Sequence, residues 1–147
     1  SSARPNQVFV LSLPFEMVNK KIGKAILKEV EELLLTPVGL RSLSPKNYHY
    51  KGYYAGDWVA RDGAYHQGTV WSWLLGPYMT AKIKIDGDSG KEQIRKFLKT
   101  FEQHLKEGGI GTVSEIFDGE APFYPKGCIA QAWGVSEILR VYLDELN

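Results

Sequence analysis

Residues 67–83 carry almost no polar surface, and this constrains the fold more than any other stretch of the chain. Val70, Trp71, Trp73, Leu74, Leu75, Tyr78 and Met79, placed at helical spacing, point in nearly every direction around one axis. A helix that is apolar most of the way round has to be covered on both sides by other elements. The spacing therefore predicts a central helix from about Gln67 to Ile83, kinked at Gly76-Pro77, because Pro77 lacks a backbone donor.

Three amphipathic segments are available to cover it. From about Lys20 to Leu35, Ile22, Ala25, Ile26, Val30, Leu33 and Leu34 recur every three to four residues, with Asn19 as N-cap and Thr36-Pro37 as the stop. From about Lys91 to Glu107 the stripe is Ile94, Phe97, Leu98, Phe101 and Leu105, opened by a Ser89/Glu92 capping box and closed by Gly108-Gly109. From about Ile129 to Leu146 it is Ile129, Ala132, Trp133, Val135, Ile138, Leu139, Tyr142, Leu143 and Leu146. The apolar opening, Gln7 to Leu13, reads equally as strand or short helix. Only Lys82-Ile83-Lys84-Ile85 alternates at period two. The fold class expected is thus all-α, one domain over residues 1–147, with about four helices and two long loops, 36–66 and 108–127. Loops of that length in a helical domain are functional or disordered, and their aromatics and glycines favour an ordered, functional reading.

Charge and composition narrow the partners. Eighteen Lys and Arg against seventeen Asp and Glu leave a net charge of +1, so nothing argues for electrostatic capture of nucleic acid. No apolar run approaches a membrane span, and neither nucleic acid nor membrane is an expected partner. The single cysteine, Cys128, excludes an internal disulfide and is expected to be a buried structural thiol, which fits a cytoplasmic location. The opening Ser-Ser-Ala-Arg-Pro-Asn-Gln is no signal peptide and lacks Met, so the chain is expected to be a piece of a longer parent. His49, His66 and His104 lack metal-site spacing, and no metal or other cofactor is expected. Asp86-Gly87-Asp88-Ser89-Gly90 fails as a calcium loop, because its twelfth position is Phe97; it reads as a turn.

Two motifs carry chemistry. Gly111-Thr112-Val113-Ser114-Glu115-Ile116-Phe117-Asp118-Gly119 places a carboxylate in a glycine-flanked loop. Glu115 reads either as a catalytic base or as a surface glutamate on the Ser114-to-Phe117 turn. Arg61 to Trp71 combines a guanidinium, a carboxylate, His66, Gln67 and aromatic faces, a set able to hold sugar hydroxyls in paired hydrogen bonds. Alternatively Asp62 pairs with Arg61, and His66 and Gln67 cap the start of a helix. Tyr48, Tyr50, Tyr53, Tyr54, Trp58 and Tyr65 lie close together, which suits stacking on pyranose faces or packing of a loop.

Taken in order, five segments resemble the amylo-alpha-1,6-glucosidase family of glycogen-debranching glucosidases. They are Arg4-Pro5-Asn6-Gln7-Val8-Phe9 with Leu11-Ser12-Leu13-Pro14; Leu34-Leu35-Thr36-Pro37-Val38-Gly39-Leu40-Arg41-Ser42-Leu43; Gly63-Ala64-Tyr65-His66-Gln67-Gly68-Thr69-Val70-Trp71; Gly109 to Gly119; and Gly127-Cys128-Ile129-Ala130-Gln131-Ala132-Trp133. The resemblance covers nearly the whole chain. Ser72 departs from it, standing where the family commonly has Pro between two tryptophans; the expected effect is on helix geometry. The resemblance implies part of an (α/α)6 six-hairpin barrel and an inverting hydrolysis of alpha-1,6-linked glucose at glycogen or limit-dextrin branches. It implies Glu115 as general base, with the general acid an Asp well upstream of the position matching Arg4. Tyr65, Asp62, His66, Gln67, Trp71 and Trp58 are the expected substrate-binding residues, and an alpha-glucan the expected partner. An incomplete barrel is expected to expose an apolar flank and to self-associate. The alternative in a different class is a non-catalytic carbohydrate-binding or interaction module on the same scaffold.

Overall fold

A computed structural model describes residues 2–147. After a 3-10 turn at Pro5–Val8 come α1 (Phe9–Ser12), α2 (Lys20–Leu33), β1 (Leu35–Thr36), β2 (Gly39–Arg41), α3 (Trp58–Tyr65), β3 (Val70–Trp71), α4 (Leu75–Asp86) and α5 (Asp88–Phe101). A second 3-10 turn, Glu102–Lys106, precedes β4 (Ile116–Phe117), β5 (Pro125–Lys126) and α6 (Ala132–Asp144). None of these helices is long and apolar enough to cross a membrane.

The central helix is present but shorter than predicted. α4 begins at Leu75, and Leu75 through Lys82 are all buried. Pro77 sits in its first turn, where backbone N–H groups have no intrahelical acceptor, so it starts the helix instead of kinking it. The β-branched Thr69 and Val70, which lose side-chain freedom in a helix, fall outside it. Val70–Trp71 becomes the middle strand of a five-stranded antiparallel sheet, β1-β2-β3-β4-β5. Leu40 faces Trp71 across β2 and β3, and Trp71 faces Ile116 across β3 and β4. The all-α expectation is corrected accordingly: the molecule is predominantly helical with a small sheet. Strands of two or three residues are too short to leave a period-two signature.

The other helices conform more closely. Asn19 caps α2 by accepting from the Ile22 N–H at 3.0 Å. Helix α5 starts at Asp88 without a side-chain cap; Ser89 instead meets Gln93, and Glu92 pairs with Lys96 at 2.7 Å, so the expected capping box is absent. The predicted loop 36–66 contains α3, whose N-cap Asp57 accepts from the Ala60 N–H at 2.8 Å.

The core gathers Val8, Leu27, Val30, Leu34, Leu40, Leu75, Met79, Ile94, Ile116 and Val141 around α4. Each such side chain contributes roughly 1.5–3 kcal/mol by leaving water. Gly76 lets α6 approach closely, because a Cβ there would collide with Glu137. Lys82, only 7% exposed, ties α4 to α2 through Glu31 at 2.8 Å and holds Asp86 at 2.9 Å on its own helix. The stripe predicted for this segment divides: Leu146, just past α6, is buried and Val135 and Ile138 are half-buried, whereas Trp133, Leu139, Tyr142 and Leu143 are exposed apolar surface, and the buried Val141 lies outside the predicted stripe.

Candidate active site

The sheet, not the helices, builds the site. Strand β3 enters from α3 through residues 66–69, and β4 leaves from the Ser114-Glu115 loop, so pairing β3 with β4 brings the two predicted motifs together. Ser72, just past β3, fixes the loop. Its hydroxyl donates to the Ser114 carbonyl at 2.7 Å and lies 3.2 Å from the Glu115 carbonyl. The residue expected to affect helix geometry more than chemistry therefore holds the backbone of the candidate base.

His104, 2% exposed, supports the loop from behind by accepting the Ser114 N–H on Nε2 at 3.1 Å. That contact needs the neutral ring with its proton on Nδ1. Burial holds the His104 pKa below the usual histidine range, against the opposing pull of Glu107. On the far side, the Glu115 N–H donates to the Cys128 carbonyl at 2.9 Å, and the Gln131 N–H to the Val113 carbonyl at 2.9 Å.

Both carboxylate oxygens of Glu115 are engaged. The Tyr65 hydroxyl donates to Oε1 in a short hydrogen bond, and the Cys128 N–H donates to Oε2 at 2.9 Å. Burial first, then this hydrogen bond to Glu115, pushes the Tyr65 phenol well above the usual tyrosine range and keeps it a donor. An ionised carboxylate has about four lone-pair positions, so each oxygen retains room to accept a proton from a substrate or water. Gly127 is required here: its φ is +66°, and a Cβ would lie 2.5 Å from Glu115 Oε2.

The half-buried Glu115 carboxylate opens on a cavity of about 620 Å³, within the size range of small-molecule sites. Its wall is aromatic. His66 stacks on Trp71 with ring centres 5.1 Å apart and planes at 1°. Trp71 meets Trp133 edge-on at 6.1 Å, Trp133 stacks on Trp73 at 5.2 Å, and Phe9 abuts Trp73 at 5.8 Å. Arg4 closes another side, its guanidinium donating to the Ser42 carbonyl at 3.1 Å, the His66 carbonyl at 2.6 Å and Gln67 Oε1 at 2.9 Å. Glu115 is the one carboxylate among the described residues that line this cavity.

The structure thus brings Tyr65, His66, Trp71 and Glu115 to one cavity. Gln67 stands outside the lining and orients Arg4. Trp58 and Asp62 line a separate hollow of about 270 Å³ with Tyr54, Arg61 and Tyr65. Asp62 and Arg61 form no ion pair; Arg61 instead donates to the Gly56 carbonyl at 2.9 Å. No helix starts at His66, which ends α3. Sequence reading passed over Arg4, Trp73, Phe9 and His104 as site residues. Arg4 and Phe9 lie within the first resemblance segment, but nothing local marks His104, whose partner is ten residues away.

The glycogen debranching enzyme of Saccharomyces cerevisiae is 32% identical over 84 residues, covering 53% of this chain and 6% of that enzyme. The chain therefore spans a small part of the length of the curated relative it matches. A family model described as amylo-alpha-1,6-glucosidase matches residues 1–140. With a match that runs across nearly its whole length, the chain belongs to the amylo-alpha-1,6-glucosidase family.

Proposed function

We propose that this chain is the base-bearing portion of an inverting glycoside hydrolase that removes alpha-1,6-linked glucose from a glycogen or limit-dextrin branch. The observation that carries the reading is a carboxylate, held on both oxygens, set in an aromatic-walled cavity. Glu115 takes a proton from water as the water oxygen bonds to the anomeric carbon. The bond from that carbon to the branch oxygen breaks on the opposite face, and the departing oxygen receives a proton from a carboxylic acid. Water attack opposite the leaving group inverts the anomeric configuration.

Inverting hydrolysis needs two carboxyl groups about 6.5–9.5 Å apart, and Glu115 stands alone in its cavity among the described residues. We assign the acid to a segment of a longer polypeptide, whose remaining helices complete an (α/α)6 barrel in the cytoplasm. The exposed Leu139, Tyr142 and Leu143 of α6 are then the face on which those helices, or a second copy of the chain, rest.

Calorimetric titration with glucose tests the pocket, and glucose release from a limit dextrin tests the chemistry. The folded chain is expected to bind glucose without hydrolysing dextrin. In the longer polypeptide, Glu115→Gln is expected to keep binding and to lower turnover by about 10²–10⁴-fold. Failure of the folded chain to bind glucose would overturn the pocket. Dextrin hydrolysis by this chain alone would place the acid within it. The single carboxylate also favours a second reading, a non-catalytic carbohydrate-binding module; wild-type turnover in the longer polypeptide by Glu115→Gln would support it.

A further inference from the structure

We infer that Arg4 is a positioning residue for the Glu115 carboxylate, acting through the end of α3; this rests on the proposed function. The half-buried Arg4 side chain meets neutral acceptors: Nη1 donates to the Ser42 and His66 carbonyls, and Nη2 to Gln67 Oε1. It forms no ion pair among the described residues. Its charge is therefore not spent on a carboxylate. What the side chain supplies is geometry, since donors fixed in one plane bridge segments 38 and 62 residues away in sequence.

Each contact falls on backbone that shapes the cavity. His66 ends α3, where the last carbonyls lack intrahelical donors and a cation meets the negative end of the helix dipole. Ser42 grips the turn that follows at two points. Its hydroxyl accepts the Gly68 N–H at 2.9 Å, and its N–H donates to the Thr69 carbonyl at 2.8 Å. By joining the Ser42 and His66 carbonyls, Arg4 closes this turn against the end of α3.

That end carries the donor to Glu115. The Tyr65 hydroxyl donates to Glu115 Oε1, and the Tyr65 carbonyl accepts the Trp71 indole N–H at 3.1 Å. The Tyr65 ring lies 5.0 Å from that of His66 and 4.7 Å from that of Trp71. Releasing Arg4 frees the last turn of α3, and the Tyr65 hydroxyl and the His66 ring move with it. Glu115 Oε2 keeps the Cys128 N–H, but Oε1 loses a fixed partner. Arg4 also lines the cavity, so direct contact with the sugar is the competing role.

The test compares wild type with Arg4→Ala and Arg4→Lys, with far-UV circular dichroism establishing that the variants fold. In the whole chain, hydrogen exchange of the Trp71 indole N–H, followed by NMR, reads the end of α3. Arg4→Ala is expected to speed that exchange about 10-fold, as for loss of one charge-assisted hydrogen bond. Added methylguanidinium should slow it again, and Arg4→Lys should fall between, because an ammonium lacks the planar fork. In the longer polypeptide, Arg4→Ala is expected to lower kcat about 10–100-fold and to change KM less, with Arg4→Lys again between. Unchanged Trp71 exchange in Arg4→Ala would overturn the inference and leave the proposed function standing. So would a raised KM with unchanged kcat, the mark of a sugar contact. A wild-type longer polypeptide that releases no glucose from a limit dextrin would remove the proposed function and, with it, the role assigned to Arg4.

Discussion

Acid should loosen the Glu115-bearing loop through His104. In the folded chain its Nε2 accepts the Ser114 N–H at 3.1 Å, which a protonated ring cannot do, since both nitrogens then donate. The ring is 2% exposed, and its centre lies 4.6 Å from that of Phe117 and 5.6 Å from that of Phe101, so charging it also costs desolvation. Glu107, 3.9 Å from Nδ1, favours the charged form but is outweighed. The folded pKa therefore lies below the ordinary value of 6.5, and the unfolded state binds more protons as pH falls. The stabilisation is fully present above the unfolded pKa and is lost as pH falls toward the folded one, at up to about 1.4 kcal/mol per pH unit. His104→Gln supplies a side-chain acceptor that does not titrate. Urea denaturation at about pH 7.5 and about pH 5.5 should show wild type losing up to about 1.4 kcal/mol relative to the variant, with background titrations cancelling in the difference. A wild-type-minus-variant stability that stays flat, or rises on acidification, would refute the reasoning.

Three other substitutions probe the same architecture. Gly127→Ala must adopt φ near +66° and put its Cβ 2.5 Å from Glu115 Oε2. We expect about 1–2 kcal/mol lost in chemical denaturation, with weakened glucose binding as the carboxylate is displaced. Tyr65→Phe strips Glu115 Oε1 of its donor, for which thermal and urea unfolding should register a loss of about 1.5 kcal/mol. Lys82→Met strands Glu31 and Asp86 without their cation. Both carboxylates keep some solvent contact, so the cost in urea unfolding should fall near the low end for broken buried pairs, about 3 kcal/mol; an unchanged midpoint would mean the bridge adds nothing.

The elements that were legible in the sequence are those set by one local signal repeated several times. Asn19 and the stripe through Val30 and Leu34 predicted α2, and the apolar run through Leu75 and Met79 predicted a buried α4. The sheet was not legible, because its strands owe their existence to partners far along the chain: Val70 pairs with Arg41 on one side and Phe117 on the other. That error had a direct consequence. Reading 67–74 as helix left no means of bringing His66 and Trp71 against Glu115. The resemblance supplied their association, and the β3–β4 pairing is its physical cause. Asp62 is read with the pocket and Trp58 with its approach for a similar reason, since α3 is hidden in a presumed loop, and its helical spacing sends both to one separate hollow.

The way Glu115 is held bears on what it can do. A surface glutamate on a turn needs at most one cap and leaves its carboxylate to solvent. Here the backbone before it is gripped by His104 and Ser72, the backbone at it by Cys128, and each carboxylate oxygen by its own donor. These holders come from the turn after α5, the end of β3, the C-terminal end of α3 and the segment entering α6. Four separate parts of the fold thus converge on one side chain whose removal would leave the hydrophobic core untouched. Fixing one orientation costs side-chain entropy and brings little packing in return. It does suit the proposed role of Glu115, because a proton acceptor held in this way need not reorganise when a substrate arrives. The short sheet is what makes that convergence possible, with the helices around α4 serving to keep the sheet in place.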